Sequence, residues 1–93
     1  MGEEFLAKGA HVQLGPAVNV QRIPTNGRNF EYLSGEDPVV GAELVPHVIK
    51  GIQDQKVMAN IKHYVDNSQE INRYSVSENV DERTNFEMYY PPF

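Results

Sequence analysis

The chain has 93 residues, 40% of them hydrophobic and 23% charged, which suits one small globular domain and excludes a disordered chain. Its formal charge of −5 disfavours nonspecific binding to nucleic acid or to an anionic membrane, and no apolar run approaches the length of a membrane span. With no cysteine, disulfides and thiol chemistry are excluded and the redox compartment cannot be read.

The chain opens on Met1-Gly2-Glu3-Glu4, which is acidic and has no long apolar core behind it, so no signal peptide is visible and the compartment is not assigned. Glu3 to Lys8 has helical composition, and Gly9 is a plausible residue just past the helix end. Ala10 to Leu14 reads as a short strand, ended by Gly15-Pro16. Residues 15–37 read as one long loop holding Pro16, Pro24, Gly27 and Gly35.

Asp37-Pro38 starts a helix: aspartate caps the free N–H groups, and proline at the first position loses no bond it would have made. Val40, Leu44, Val48 and Ile52 recur at every fourth position and are the expected buried face. Pro46 predicts a kink or a local defect. Val57 to Ile61 reads as the second strand, apolar on both faces as a parallel strand covered by helices would be. Residues 64–80 are loop again. Asp81-Glu82-Arg83 begins a last helix, with acid at its positive end, that runs to about Tyr89 and stops before Pro91-Pro92. The order helix, strand, long loop, helix, strand, long loop, helix predicts an α/β chain with parallel strands. Both long loops follow strand ends, where α/β barrels build their active sites.

Three polar stretches could carry chemistry. Arg28 follows Gly27 in a loop and would offer a fixed fork of donors to ligand oxygens; the competing reading is a surface arginine paired with Glu31 or Glu36. Lys62 and His63 close the second strand and could donate to hydroxyls, but neighbouring strand side chains point to opposite faces. The competing reading is a solvated lysine beside a core histidine. Asn67 to Arg73 is a dense polar run that by composition alone is an exposed loop. His11, His47 and His63 lie too far apart for a metal-ligand spacing, and neither a phosphate-binding glycine loop nor a nucleophile elbow is present. Glu31, Glu36, Asp37, Glu70, Asp81 and Glu82 offer carboxylates, and which of them face each other is not readable from the sequence.

Together these stretches resemble the N-terminal barrel domain of glycoside hydrolase family 3, the family of many β-glucosidases and β-xylosidases. The matching segments are Leu14-Gly15-Pro16, Arg22-x-Pro24, Gly27-Arg28-Asn29-Phe30-Glu31 and Gly35-Glu36-Asp37-Pro38. They continue with Ala59-Asn60-Ile61-Lys62-His63-Tyr64, Gln69-Glu70-x-Asn72-Arg73, Val80-Asp81-Glu82-Arg83-Thr84 and Tyr90-Pro91-Pro92-Phe93. Any one is weak; eight in register are strong.

The resemblance implies a fragment, residues 1–93, of a partial (β/α)8 TIM-type barrel with about three strand–helix units and long loops after the strands. It implies retaining hydrolysis of terminal β-D-glucosyl residues by the parent enzyme, with a β-glucoside as partner and no cofactor or metal. Arg28, Lys62 and His63 would hold hydroxyls of the sugar at the cleavage subsite. Arg73 would orient the site, and Glu31 would support Arg28 from behind. A non-proline cis peptide beside Lys62-His63 is common in the family and would bring both side chains to one face. The family's nucleophilic aspartate lies in a Ser-Asp-Trp type segment beyond Pro-Pro-Phe, and its acid/base usually comes from a later domain. The chain has no tryptophan and hence no such segment, so the resemblance implies that the nucleophile, like the acid/base, is not within it. Residues 1–93 alone are therefore expected to be inactive, and the rest of the parent enzyme is expected to complete the barrel. The alternative reading is a non-catalytic sugar-binding or assembly module that uses the same four residues; a third is an unrelated small acidic interaction domain.

Overall fold

A computed structural model describes all 93 residues. Helix α1, Gly2–Ala7, ends in a turn at Lys8, and Gly9 takes the left-handed conformation (φ +75°) that reverses the chain. Strand β1, Val12–Gln13, pairs in parallel with β2, Met58–Ala59, in the register Val12 to Met58 and Gln13 to Ala59. Between them lies α2, Pro38–Gln53, so the unit is the expected strand, helix, parallel strand. Helix α3, Glu82–Thr84, and the wide turn Asn85–Tyr89 that continues it close the order. No helix is long and apolar enough to cross a membrane.

Helix α2 begins as its sequence dictates. The Asp37 side chain accepts from the Val39 N–H at 2.9 Å, with Pro38 at the first helical position. Such a cap contributes about 1 kcal/mol. The helix runs through Pro46 without interruption; the local defect is the Ala42 carbonyl, which receives no N–H from residue 46. The buried stripe is Gly41, Val45 and Ile52, whereas Val40 and Leu44 stay 42% and 43% exposed. At its start this moves the expected face by one residue, from Val40 and Leu44 to Gly41 and Val45, while Ile52 is buried as expected. Steps of four advance about 40° too far each time round a 3.6-residue turn, so a strict i+4 row drifts off the packed face. Gly41 is fixed by contact. A Cβ there would overlap the Ser34 side chain and fall 3.0 Å from Pro92 Cβ. Pro92 and Ser34 are both buried at this crossing, which anchors the C-terminal segment to α2.

The strands are shorter than the sequence predicts. Val57 is buried, but the ladder of β2 covers only Met58 and Ala59. The larger correction concerns residues 15–37, which are not simply loop. Ala17 makes isolated parallel bridges to Tyr32 on one side and Lys62 on the other. The Leu33 N–H donates to the Ala17 carbonyl at 2.9 Å, and the Val18 N–H to the Lys62 carbonyl at 2.8 Å. Val18 and Val20, with Val57, are the most deeply buried apolar side chains of the core, at 0%, 1% and 1% exposure. The extended line of β1 thus breaks at Pro16, which has no N–H to give, and resumes beyond it. The structure contains two parallel strands and these bridges, rather than three full strand–helix units.

At the other end, Asp81 caps α3 by accepting from the Thr84 N–H (3.0 Å) and hydroxyl (2.7 Å). After that single turn the helix widens over Asn85–Tyr89, where the Tyr90 N–H reaches back five residues to the Asn85 carbonyl at 2.8 Å. The expected helix to Tyr89 is therefore one regular turn followed by a wide one. Phe93 meets the Tyr64 ring edge-on, with centroids 5.4 Å apart. On the sheet, Val12, Leu14 and Met58 stay 41%, 68% and 62% exposed, an apolar face that the 93 residues do not cover.

Candidate sugar-binding site

The site forms where three chain segments meet. The 3₁₀ turn Asn29–Glu31 carries Arg28 at its start and Glu31 at its end. Beside it, the chain leaves β2 through Lys62 and His63, and the following loop brings Glu70 and Arg73. The Lys62–His63 peptide bond is cis, as the family resemblance implies, and the Gly15–Pro16 bond is cis as well. Lys62 and His63 reach the same group of residues: Lys62 Nζ lies 2.9 Å from Glu31 Oε2, and His63 Nε2 lies 2.6 Å from Arg28 Nη2.

Arg28 is the hub. Its Nε donates to Glu31 Oε1 at 2.5 Å, its Nη1 pairs with Glu70 Oε1, and its Nη2 faces His63. Glu70 Oε2 in turn lies 3.3 Å from Arg73 Nε. The result is one continuous line of alternating charge, Lys62–Glu31–Arg28–Glu70–Arg73, with His63 resting on its centre. Three cations meet two carboxylates, so the cluster carries one net positive charge on a chain whose formal charge is −5. All but Arg73 are half-buried; the Arg73 side chain is 58% exposed.

The protonation states follow from the contacts. Burial pushes the Glu31 carboxyl up, but hydrogen bonds and charge from Lys62 and Arg28 outweigh it and hold the group below the usual carboxylate range. Glu31 is therefore a fixed anion. The Glu31 hydrogen bond raises the Arg28 pKa further. Burial, then the charges of Arg28 and Lys62, push the His63 pKa below 6.5. A guanidinium can only donate, so His63 Nε2 accepts and the proton sits on Nδ1, which is buried without a partner. The Tyr32 ring stands edge-on to His63 at 6.4 Å, and burial raises the Tyr32 hydroxyl pKa.

One expectation follows directly. His63 has a folded-state pKa below its unfolded value, so its contribution to stability is complete above pH 6.5 and is lost as pH falls through the folded value. An imidazole NMR titration should place the His63 midpoint below 6.5, and Arg28→Ala should move it upward. A midpoint at or above 6.5 in the unaltered chain would contradict this electrostatic account.

The sequence singles out Arg28, Glu31, Lys62, His63 and Arg73, and the structure brings all five together. The sequence offers Glu70 only as one of six carboxylates without a partner, and leaves Asn19 unmarked. Glu70 bridges the two arginines, a role no spacing rule shows. Asn19 is 4% exposed and holds the backbone of His63 from 44 residues away. Its signal was one amide amid the apolar run Ala17-Val18-Asn19-Val20. A cavity of about 630 Å³ opens beside the cluster between Arg22, Asn26, Gln69 and Tyr89; it touches Arg28 and Glu70 but not Lys62, His63 or Arg73. Glu78 also lines it, with a pKa raised by burial and by the charges of Asp66 and Glu70.

The profile described as "Glycosyl hydrolase family 3 N terminal domain" matches residues 1–93. The chain belongs to glycoside hydrolase family 3. Among curated family relatives, the β-glucosidase of Rhizobium radiobacter is 50% identical over all 93 residues, and thermostable β-glucosidase B of Acetivibrio thermocellus is 47% identical over the same span. Solved structures agree. Glucose-bound β-glucosidase 3B of Thermotoga neapolitana superposes with a TM-score of 0.92 at 49% identity over 99% of this chain. A β-glucosidase of Streptomyces venezuelae in complex with D-glucose gives a TM-score of 0.92 at 43% identity, also over 99% of the chain. The chain spans only 11–13% of the length of these family members.

Proposed function

We propose that residues 1–93 supply the sugar-holding part of a retaining β-glucosidase, with the nucleophile and acid/base contributed from outside them. Arg28, Lys62 and His63 bind hydroxyls of the ring at the cleavage subsite. Arg73 orients the site, and Glu31 fixes Arg28 and Lys62 from behind. The observation that carries the reading is the cluster's supply of unspent donors. A guanidinium has five N–H donors and an ammonium three. Arg28 spends three and Lys62 one on their partners within the cluster, leaving two on each for hydroxyl oxygens. The net positive charge suits a carboxylate arriving beside Arg73, as the family's nucleophile would.

We further read the fold as a sector of a (β/α)8 barrel. The uncovered side chains Val12, Leu14 and Met58 then pack against the remaining sector, and the site lies at the strand ends where barrel chemistry sits. The parent reaction is hydrolysis of a terminal β-D-glucosyl bond.

The test is a chimera in which residues 1–93 replace the matching segment of the Rhizobium radiobacter β-glucosidase. It is expected to hydrolyse a nitrophenyl β-glucoside. Lys62→Ala is expected to lower kcat/KM by roughly 10- to 100-fold, the loss of about one charge-assisted bond. Unchanged kcat/KM in Lys62→Ala would remove the lysine from the sugar site.

A further inference from the structure

We propose that Asn19 is a positioning residue, whose buried amide fixes the His63 backbone and thereby the aim of Lys62 and His63 at the sugar. The inference rests on the reading of those two side chains as ring-binding groups. Asn19 Oδ1 accepts from the His63 N–H at 2.7 Å. Its Nδ2 donates to the His63 carbonyl at 3.1 Å and to the Asn67 carbonyl at 3.4 Å. One side chain thus holds both main-chain groups of the same residue and ties them to the start of the loop that carries Glu70 and Arg73. Strand pairing ends one residue earlier: Lys62 receives its bonds from the backbone, its N–H donating to Pro16 (3.0 Å) and its carbonyl accepting from Val18 (2.8 Å). From His63 onward the backbone no longer pairs in register, and the Asn19 amide takes over.

Asn19 is well placed to do this. Val18 and Val20 on either side are fully buried, so the residue between them has little freedom. The geometry requires an acceptor and a two-handed donor on one short side chain, which only an amide of this length provides. Removing it leaves a buried N–H and carbonyl unpaired, and the backbone that carries both ring-binding side chains is free to shift. A displacement of an ångström at such groups is enough to weaken catalysis strongly.

The experiment is a double-mutant cycle in the same chimera, read as kcat/KM for a nitrophenyl β-glucoside. Asn19→Ala is expected to lower kcat/KM about tenfold or more. In the Lys62→Ala background the same change is expected to cost clearly less than in the unaltered chimera, because one of the two groups it positions is already gone and only His63 remains to be held. Asn19→Asp keeps the acceptor for the His63 N–H and is expected to fall between Asn19→Ala and the unaltered chimera; it carries the cycle if the alanine variant does not fold. Equal losses in both backgrounds, or no loss in either, would overturn the proposal. Failure of the sugar-site reading shows separately, as a Lys62→Ala variant with unchanged kcat/KM, and would take this proposal with it.

Discussion

Replacing Arg28 with alanine is expected to give the largest single loss in the chimera, roughly 10²- to 10⁴-fold in kcat/KM for an aryl β-glucoside. The estimate follows from two spare guanidinium donors, each forming a charge-assisted bond worth about 1.5–3 kcal/mol. Two further effects add to it. Glu31 loses its 2.5 Å partner and Glu70 loses its bridge, so two half-buried carboxylates are left facing a single cation each. His63 loses the donor on Nε2, so its tautomer is no longer fixed. Arg28→Lys is expected to restore little, because an ammonium cannot serve Glu31, Glu70 and His63 at once while still reaching a ligand. Steady-state kinetics of both variants decide the point. A loss of less than about tenfold in Arg28→Ala would show that the guanidinium does not bind sugar.

The second expectation is that residues 1–93 alone release no product from an aryl β-glucoside. A retaining mechanism needs two carboxyl groups about 5–5.5 Å apart, one free to attack and one able to give up a proton. The two carboxylates at this site are neither. Glu31 is held between Arg28 and Lys62 and kept ionised by them, so it cannot act as an acid. Glu70 is engaged by Arg28 and Arg73. Glu78, whose pKa is raised, stands with Asp66 on the neighbouring cavity, which Lys62 and His63 do not line. Any turnover by the purified chain that survives an active-site-directed inhibitor of a contaminating glucosidase would contradict this reading.

The sequence marks the members of the charged cluster better than it marks the scaffold. Motif order marks Arg28, Glu31, Lys62, His63 and Arg73, and these five stand in one cluster; the cis bond that the resemblance implies beside Lys62 and His63 is present. Local rules also caught the helix start at Asp37-Pro38 and the turn at Gly9, because capping and left-handed backbone are decided by a few adjacent residues. What they missed depends on contacts far apart in sequence. Pro16 looked like the end of a strand, yet pairing resumes at Ala17 because Tyr32 and Lys62 lie on either side of it. The packed face of α2 includes a glycine, Gly41, which no hydrophobic pattern marks; it is buried because Ser34 and Pro92 press against it. Glu70 was one carboxylate in a polar run until Arg28, 42 residues away, met it. Asn19 looked like a loop residue for the same reason.

The central claim is that Arg28, Lys62 and His63 hold one sugar ring. A crystal structure of the chimera soaked with glucose tests it most directly. The account predicts a ring with hydroxyl oxygens within about 3.2 Å of the Arg28 guanidinium, Lys62 Nζ and the His63 ring, and Glu31 still behind Arg28. Glucose seated instead in the cavity between Arg22 and Tyr89, with the cations turned only toward Glu31 and Glu70, would contradict it.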